Sequence, residues 1–160
     1  MAKASGIQTR VRAETSTGGL YDISGDVTNL DIAMPRGVQD VTSINRSAME
    51  RILLLSDISG TLNGIWNPNG VDTSCSHEVF RTVSVSSTGT RRLDITMGSS
   101  GAPVLGDPQL AGDTVTSSGI SVLFTDYALT RAQGGEMTWN VPFVLGSGLI
   151  PFWGTSGIAQ

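Results

Sequence analysis

Two stretches of this chain alternate between apolar and polar side chains with a strict period of two. Ile58, Gly60, Leu62, Gly64 and Trp66 share one side, opposite Ser59, Thr61, Asn63 and Ile65. Met137, Trp139, Val141, Phe143 and Leu145 share another, opposite Glu136, Thr138 and Asn140. Only an extended strand sends successive side chains to opposite faces, so both stretches are half-buried strands and the chain has to build a sheet with one apolar face. Two glycines inside the first strand mark curvature or a close backbone approach, and Pro142, lacking a donor, places the second at an edge or a bulge.

The rest of the chain reads mostly the same way. From Leu20 to Ala33, Ile23 and Val27 fall on one face with Tyr21 and Gly25, while Asp22, Ser24, Asp26 and Thr28 fall on the other. The alternation slips by one at Asn29, which a one-residue β-bulge accomplishes, so that Leu30 and Ile32 return to the apolar side. Residues 67–78 are turn-rich. A hairpin is expected with Val83 and Val85 on one arm and Leu93, Ile95 and Met97 on the other. Residues 98–113, rich in Gly and Pro, read as a long connection, and "ISVLFTDYALTR" reads as strand before a turn at Ala132–Gly135. One segment breaks the pattern. Ser47-Ala48-Met49-Glu50 fits a capping box, and Ala48, Met49, Ile52, Leu53 and Leu55 then recur near helical spacing with Arg46, Glu50 and Arg51 turned outward. This predicts a short helix over about residues 47–55. No repeat and no break in composition divides the chain, so the expectation is a single domain over 1–160, with 1–19 and 149–160 as terminal arms. The predicted class is mainly β: one antiparallel β-sandwich or half-barrel with one short flanking helix.

A domain of 160 residues buries roughly 70% of its unfolded surface and needs neither disulfide nor metal to hold a core. Its single cysteine, Cys75, excludes an internal disulfide and fits a reducing compartment. "MAKASGIQTRVRAE" lacks the apolar core of a signal peptide, and the longest aliphatic run, Ile52 to Leu55, is far too short to span a bilayer, so a soluble, unexported chain without membrane insertion is expected. Net charge is −4 with one lysine, Lys3, which argues against a surface that grips nucleic acid. Only 15% of residues are charged, against roughly 25% in an average domain. Much of the surface is therefore neutral, as expected of a chain buried against copies of itself.

The sequence offers few groups for catalysis. "GSSGAP" at 98–103 looks like the nucleophile turn of trypsin-like proteases, and His77, Asp94 and Ser100 occur in that chain order. The spacing fails, because that fold separates its His and Ser by well over a hundred residues, and Ser99 stands where an Asp is needed. Cys75 with His77 lacks a third orienting group, and without a second histidine it cannot complete a tetrahedral metal site. Asp22, Asp26 and Asp31 lack the continuous spacing and bidentate Glu of a calcium loop. No phosphate-binding glycine motif is present. No catalytic residue, cofactor or metal is expected, and Trp66, Trp139 and Trp153 read as core or subunit-contact anchors.

Three ordered segments carry a family likeness: "YDISGDVTNLDI"; "VTSINRSAMERILLLSDISGTLNGIWNP" followed by "SHEVFRTV"; and "ALTRAQGGEMTWNVPFVLGSG". Over most of residues 20–148 the chain resembles a bacteriophage major tail tube protein of the siphovirus kind. That resemblance implies a structural virion protein whose copies close into hexameric rings, stacked as a tube that conducts double-stranded DNA during ejection. It implies assembly in the host cytoplasm and contact with tail tip, tape measure and tail terminator proteins. On this reading the polar strand faces line the lumen: Asp22, Ser24, Asp26 and Thr28, then Ser59, Thr61 and Asn63, then Glu136, Thr138 and Asn140. Phe152 and Trp153, with no periodic strand to join, are expected at a subunit interface. The competing reading is a binding module, such as a capsid decoration or carbohydrate-binding β-sandwich.

Overall fold

The computed structural model describes residues 9–67, 75–85, 89–98, 103–112, 119–146 and 149–155. Along them run β1 (Thr9–Glu14), β2 (Leu20–Asp22), β3 (Val27–Ala33), β4 (Arg36–Asp40), β5 (Arg51–Ser56) and β6 (Ser59–Ile65). Helix α1 (Ser76–Phe80) follows, then β7 (Arg91–Met97), β8 (Pro108–Ala111), β9 (Ile120–Phe124), β10 (Ala128–Arg131), β11 (Met137–Leu145) and β12 (Phe152–Thr155). Ten strands form one sheet along the path β12-β8-β7-β9-β11-β6-β3, with β1 on β7, β2 on β1 and β10 on β11; β4 and β5 form a second sheet by themselves. Every strand ladder is antiparallel. The fold is mainly β and not closed, an open half-barrel.

The period-two pattern places the core. Val11 and Ala13 of β1, Leu93 and Ile95 of β7, Ile120 and Val122 of β9, Trp139, Val141 and Phe143 of β11, and Leu62 of β6 belong to one buried cluster with Val79 and Phe80 of α1. The strand ladders stay close enough to curl around it because of two glycines. A methyl at Gly64 would lie 2.1 Å from the Asp26 carbonyl oxygen and 2.4 Å from the Trp139 ring. One at Gly60 would lie 2.2 Å from the Asp31 carbonyl oxygen and 2.6 Å from the Phe143 ring. The close approach expected from these glycines is thus present, and the register explains it: Gly60 sits opposite Phe143, and Gly64 opposite Trp139.

The expected slip at Asn29 is present as well, as a register shift between Val27 and Asn29. It returns Leu30 opposite Leu62 and Ile32 opposite Gly60, both on the core side. On the other face of β1 and β7, the buried Asp94 carboxylate accepts from Arg12 Nε at 2.9 Å, Gln109 Nε2 at 2.5 Å and Thr96 Oγ1 at 3.3 Å, and forms an ion pair with the same arginine. These bonds add polar cross-links between β1, β7 and β8 to the apolar contacts of the core.

Several expectations are overturned. Residues 47–55 are not a helix: 51–56 are β5, paired with β4 through Val38↔Leu53 and Gln39↔Ile52. The capping box loses to a hairpin closure, in which Thr42 Oγ1 accepts the Glu50 amide at 2.8 Å and Val41 N donates to the Glu50 carbonyl at 3.0 Å. A nine-residue helix is marginal by itself, whereas cross-strand pairs need no such nucleus. The helix lies instead at Ser76–Phe80, where Asp26 Oδ2 accepts the Ser76 amide at 2.8 Å and Phe80 packs its ring on Phe124, Trp139 and Tyr127. Val83 and Val85 lie in a turn rather than a hairpin arm. The stretch 98–113 contains β8. Strand pairing breaks between Leu20 and Ala33 because Ile23 turns into the core and residues 24–26 form a turn. Pro142 is not on an edge strand, since β11 has neighbours on both sides; it stands where the second neighbour changes from β10 to β9, and its carbonyl there accepts from Thr125 N at 3.0 Å. Phe152 and Trp153 do have a strand to join, pairing with Ala111 and Leu110. Of the two expected arms, residues 9–14 and 152–155 are strands of the main sheet.

Two outcomes are expected. Gly64→Ala should lower unfolding free energy by about 3 kcal/mol, read by urea denaturation, because both neighbours of the new methyl are held rigidly. Tyr127 bonds His77 Nδ1 at 3.0 Å, and burial first, then the Cys75 and Asp26 charges, raise its pKa from 10.0 to about 12. A raised phenol pKa favours the folded state fully below pH 10.0 and loses that contribution as pH climbs to about 12. Tyr127→Phe should flatten the fall of stability across that alkaline window.

Candidate assembly surface

The alternation that fills the core leaves a second face on β3, β6, β11 and β10. Register places Asn29 opposite Asn63 and Asp31 opposite Thr61; across the next ladder Asn63 meets Asn140, and Thr138 of β11 meets Thr130. Asn140 Nδ2 donates to Asn63 Oδ1 at 2.5 Å and Thr138 Oγ1 to the Thr130 carbonyl at 3.4 Å, so the polar groups cross-link the strands they stand on. None of these residues is a lysine or arginine.

Of the ten polar residues expected on one surface, Ser59, Thr61, Asn63, Thr138 and Asn140 are brought together here. Thr28, at the bulge, donates to the Asn63 carbonyl at 3.3 Å, and Glu136 is exposed just before β11. Asp22, Ser24 and Asp26 are not part of the face, because the chain spends them on its own turn. Ser24 Oγ accepts from Val11 N at 2.8 Å and donates to Asp22 Oδ1 at 2.5 Å; Asp26 accepts from Asn67 Nδ2 at 3.2 Å besides capping α1.

The β4–β5 hairpin is the feature that sequence reasoning missed. Alternation sends Val38, Leu53 and Leu55 to one face of the ribbon and Ile52 and Leu54 to the other, and all five are exposed, Leu55 to 92%. The signal was four consecutive aliphatic residues, Ile52–Leu55, which suit a two-sided strand better than one stripe of a helix. At the tip, Asp40 Oδ1 accepts from Thr42 N at 2.9 Å and Thr42 Oγ1 at 2.5 Å, which holds its carboxyl below the usual range and leaves Ile44 and Met49 outermost. At the base, Arg36, Leu53, Leu54, Leu55, Ser56 and Ile150 line an open groove of about 350 Å³. Beside it in sequence stand Phe152 and Trp153, both exposed.

The reactive groups are dispersed. His77 bonds Tyr127, whereas Asp94 is held by Arg12, Gln109 and Thr96. Ser100 lies outside the described residues. The Cys75 thiol is buried and donates to the Asn67 carbonyl. Among the described residues no three His, Cys, Asp or Glu side chains are grouped to hold a metal ion, and no helix is long and apolar enough to cross a membrane.

No protein-family model and no curated protein matches the sequence. Solved structures do match the fold. A chain in the virion of a native gene transfer agent particle superposes with TM-score 0.64 at 14% identity, covering 94% of this chain and 99% of that one. A chain from the tail of an empty gene transfer agent particle, refined with C6 symmetry, gives TM-score 0.62 at 13% identity over 92% and 97%. A chain in the six-fold symmetrised baseplate of the anti-feeding prophage gives 0.59 at 10% identity over 95% and 97%. At these identities what is shared is the fold, and it is shared along nearly the whole length of each chain.

Proposed function

We propose that this chain is the repeating subunit of a bacteriophage-type tail tube. Six copies close a ring, rings stack, and double-stranded DNA passes through the bore. The observation that carries this reading is the overlap of the fold, along nearly the whole chain, with a chain from a gene transfer agent virion and with chains from a tail and a baseplate described as six-fold symmetric. No catalytic step is assigned to it. At its ends the stack would meet tail tip, tail terminator and tape measure proteins, and the particle would be a virion put together in the host cytoplasm.

The polar face of β3, β6, β11 and β10 is the surface suited to the bore, with Ser59, Thr61, Asn63, Thr138 and Asn140 facing it and Glu136 and Thr28 at its margins. Asp22, Ser24 and Asp26 belong to the adjoining turn. The physical argument is one of weak interaction. Lysines and arginines along the wall would release the counterions of a duplex bearing one charge per roughly 1.7 Å and so bind it tightly. A carboxylate about 10 Å from a phosphate repels it by only about 0.4 kcal/mol in water, and salt screens that over about 8 Å. A wall of hydroxyls and amides with Asp31 on it, Glu136 at its margin and no lysine or arginine lets DNA slide.

Phe152 and Trp153 are assigned to a contact between subunits, since two exposed aromatic side chains on a short edge strand are natural interface anchors.

Two measurements test this. Tubes of the Asp31→Lys/Thr138→Lys variant should form normally but retain duplex DNA, with binding that falls steeply as salt rises; tubes that retain none would remove this face from the bore. Trp139 is buried and Trp66 partly so, whereas Trp153 is exposed, so assembly should shift tryptophan emission to the blue and Trp153→Phe should abolish most of that shift. An unchanged shift in the variant would take Trp153 out of the interface.

A further inference from the structure

We propose that the hairpin tip of one copy seats in the apolar groove at the hairpin base of the next, so that the chain carries both halves of a head-to-tail contact. The inference rests on the tube-subunit reading and names the contact that would hold its copies together.

An isolated two-stranded ribbon is marginal in water, and this one exposes aliphatic side chains on both faces while sharing no ladder with the main sheet. Among the described residues nothing covers it. The groove at its base is apolar through Leu53, Leu54, Leu55 and Ile150, and the tip offers a matching apolar knob in Ile44, fully exposed, with Met49 beside it. The tip is braced by bonds within its own copy. Thr42 is bonded to both Asp40 and Glu50, and Arg46 N donates to the Ser43 carbonyl at 3.0 Å, so little loop entropy remains to be lost on binding.

Charge selects the partner. Arg36 lines the groove, its Nε donating to the Leu54 carbonyl at 2.9 Å; among the described residues neither it nor Asp40, at the start of the tip, forms an ion pair. The groove thus presents an unmatched cation and the tip an unmatched carboxylate. One chain cannot join them to each other. Four rises along β4 hold Asp40 about 13 Å from Arg36 on one straight ribbon, so a tip reaches only the groove of another copy. Because the two surfaces differ, the contact is heterologous, and a heterologous contact propagates into a ring or a helical stack rather than stopping at a dimer.

The test uses the full-length chain carrying Ile44→Cys and Ile150→Cys, assembled and then oxidised with copper phenanthroline; Cys75 is buried and does not compete. A ladder of covalent multimers is expected from the double variant and none beyond dimers from either single variant. Tubes that form without a ladder overturn the contact while leaving the tube reading intact. A wild-type chain that makes neither rings nor tubes overturns the tube reading, and a ladder from the double variant would still register the contact. A second measurement is a double-mutant cycle. Arg36→Gln and Asp40→Asn, the latter keeping an acceptor for Thr42, should each raise the concentration at half-assembly on the order of tenfold, and the pair together should cost no more than either alone. Additive effects would overturn the Arg36–Asp40 pairing.

Discussion

The structure depends on two places where a glycine lies beneath an aromatic ring of the neighbouring strand. Gly60 faces Phe143 and Gly64 faces Trp139, and in each case the space a side chain would need is already taken by that ring and by a backbone carbonyl from the preceding turn or strand. Trp139 is fixed further by its Nε1 donating to the Ile65 carbonyl at 2.8 Å. The Asp26 carbonyl beside Gly64 also accepts the Ile65 amide, and the carboxylate of the same residue caps α1. One tight approach therefore couples the β2–β3 turn, the curvature of β6 and the docking of the only helix among the described residues.

This part of the fold was legible because it is governed by local period. Alternation in residues 58–66 and 137–145 identified the core face, the slip at Asn29 identified the bulge, and the same alternation gathered Ser59, Thr61, Asn63, Thr138 and Asn140 on one surface. What escaped was decided by non-local partners. Ile52–Leu55 is apolar on both sides, and from sequence a two-sided strand and a helical stripe look alike when only four residues are available. Ser76–Phe80 is too short to display a helical period, and it folds because Asp26, fifty residues away, receives its first amide. Asp22, Ser24 and Asp26 kept the alternation of a strand but are consumed by a turn, since Ile23 enters the core and the polar residues on either side must bond locally.

The low charge of the composition has a structural counterpart. Several of the few charged residues are held inside: Asp94 with Arg12, Glu14 accepting the Arg92 amide at 2.7 Å, and Arg91 donating to the Val79 carbonyl and Thr82 hydroxyl, both at 2.9 Å, where burial lowers its pKa. Charges used as internal cross-links cannot also decorate the exterior. The face of β3, β6, β11 and β10 that carries no lysine or arginine and the apolar hairpin follow from the same distribution, one suited to not holding a polyanion and the other to being covered by protein.

The hairpin joins the body through very little backbone. At its root Asp57 N donates to the Pro35 carbonyl at 3.1 Å, and the two sheets share no ladder. A root of one hydrogen bond, between Ala33↔Ser59 of the main sheet and Arg36↔Ser56 of the ribbon, has fewer bonds to strain than either ladder, so a bending load would be taken up there first. In a stack held together through such ribbons, flexure would concentrate at the roots. Each body would remain rigid while the column as a whole bends, a division between stiff walls and soft joints that a conduit under mechanical load requires.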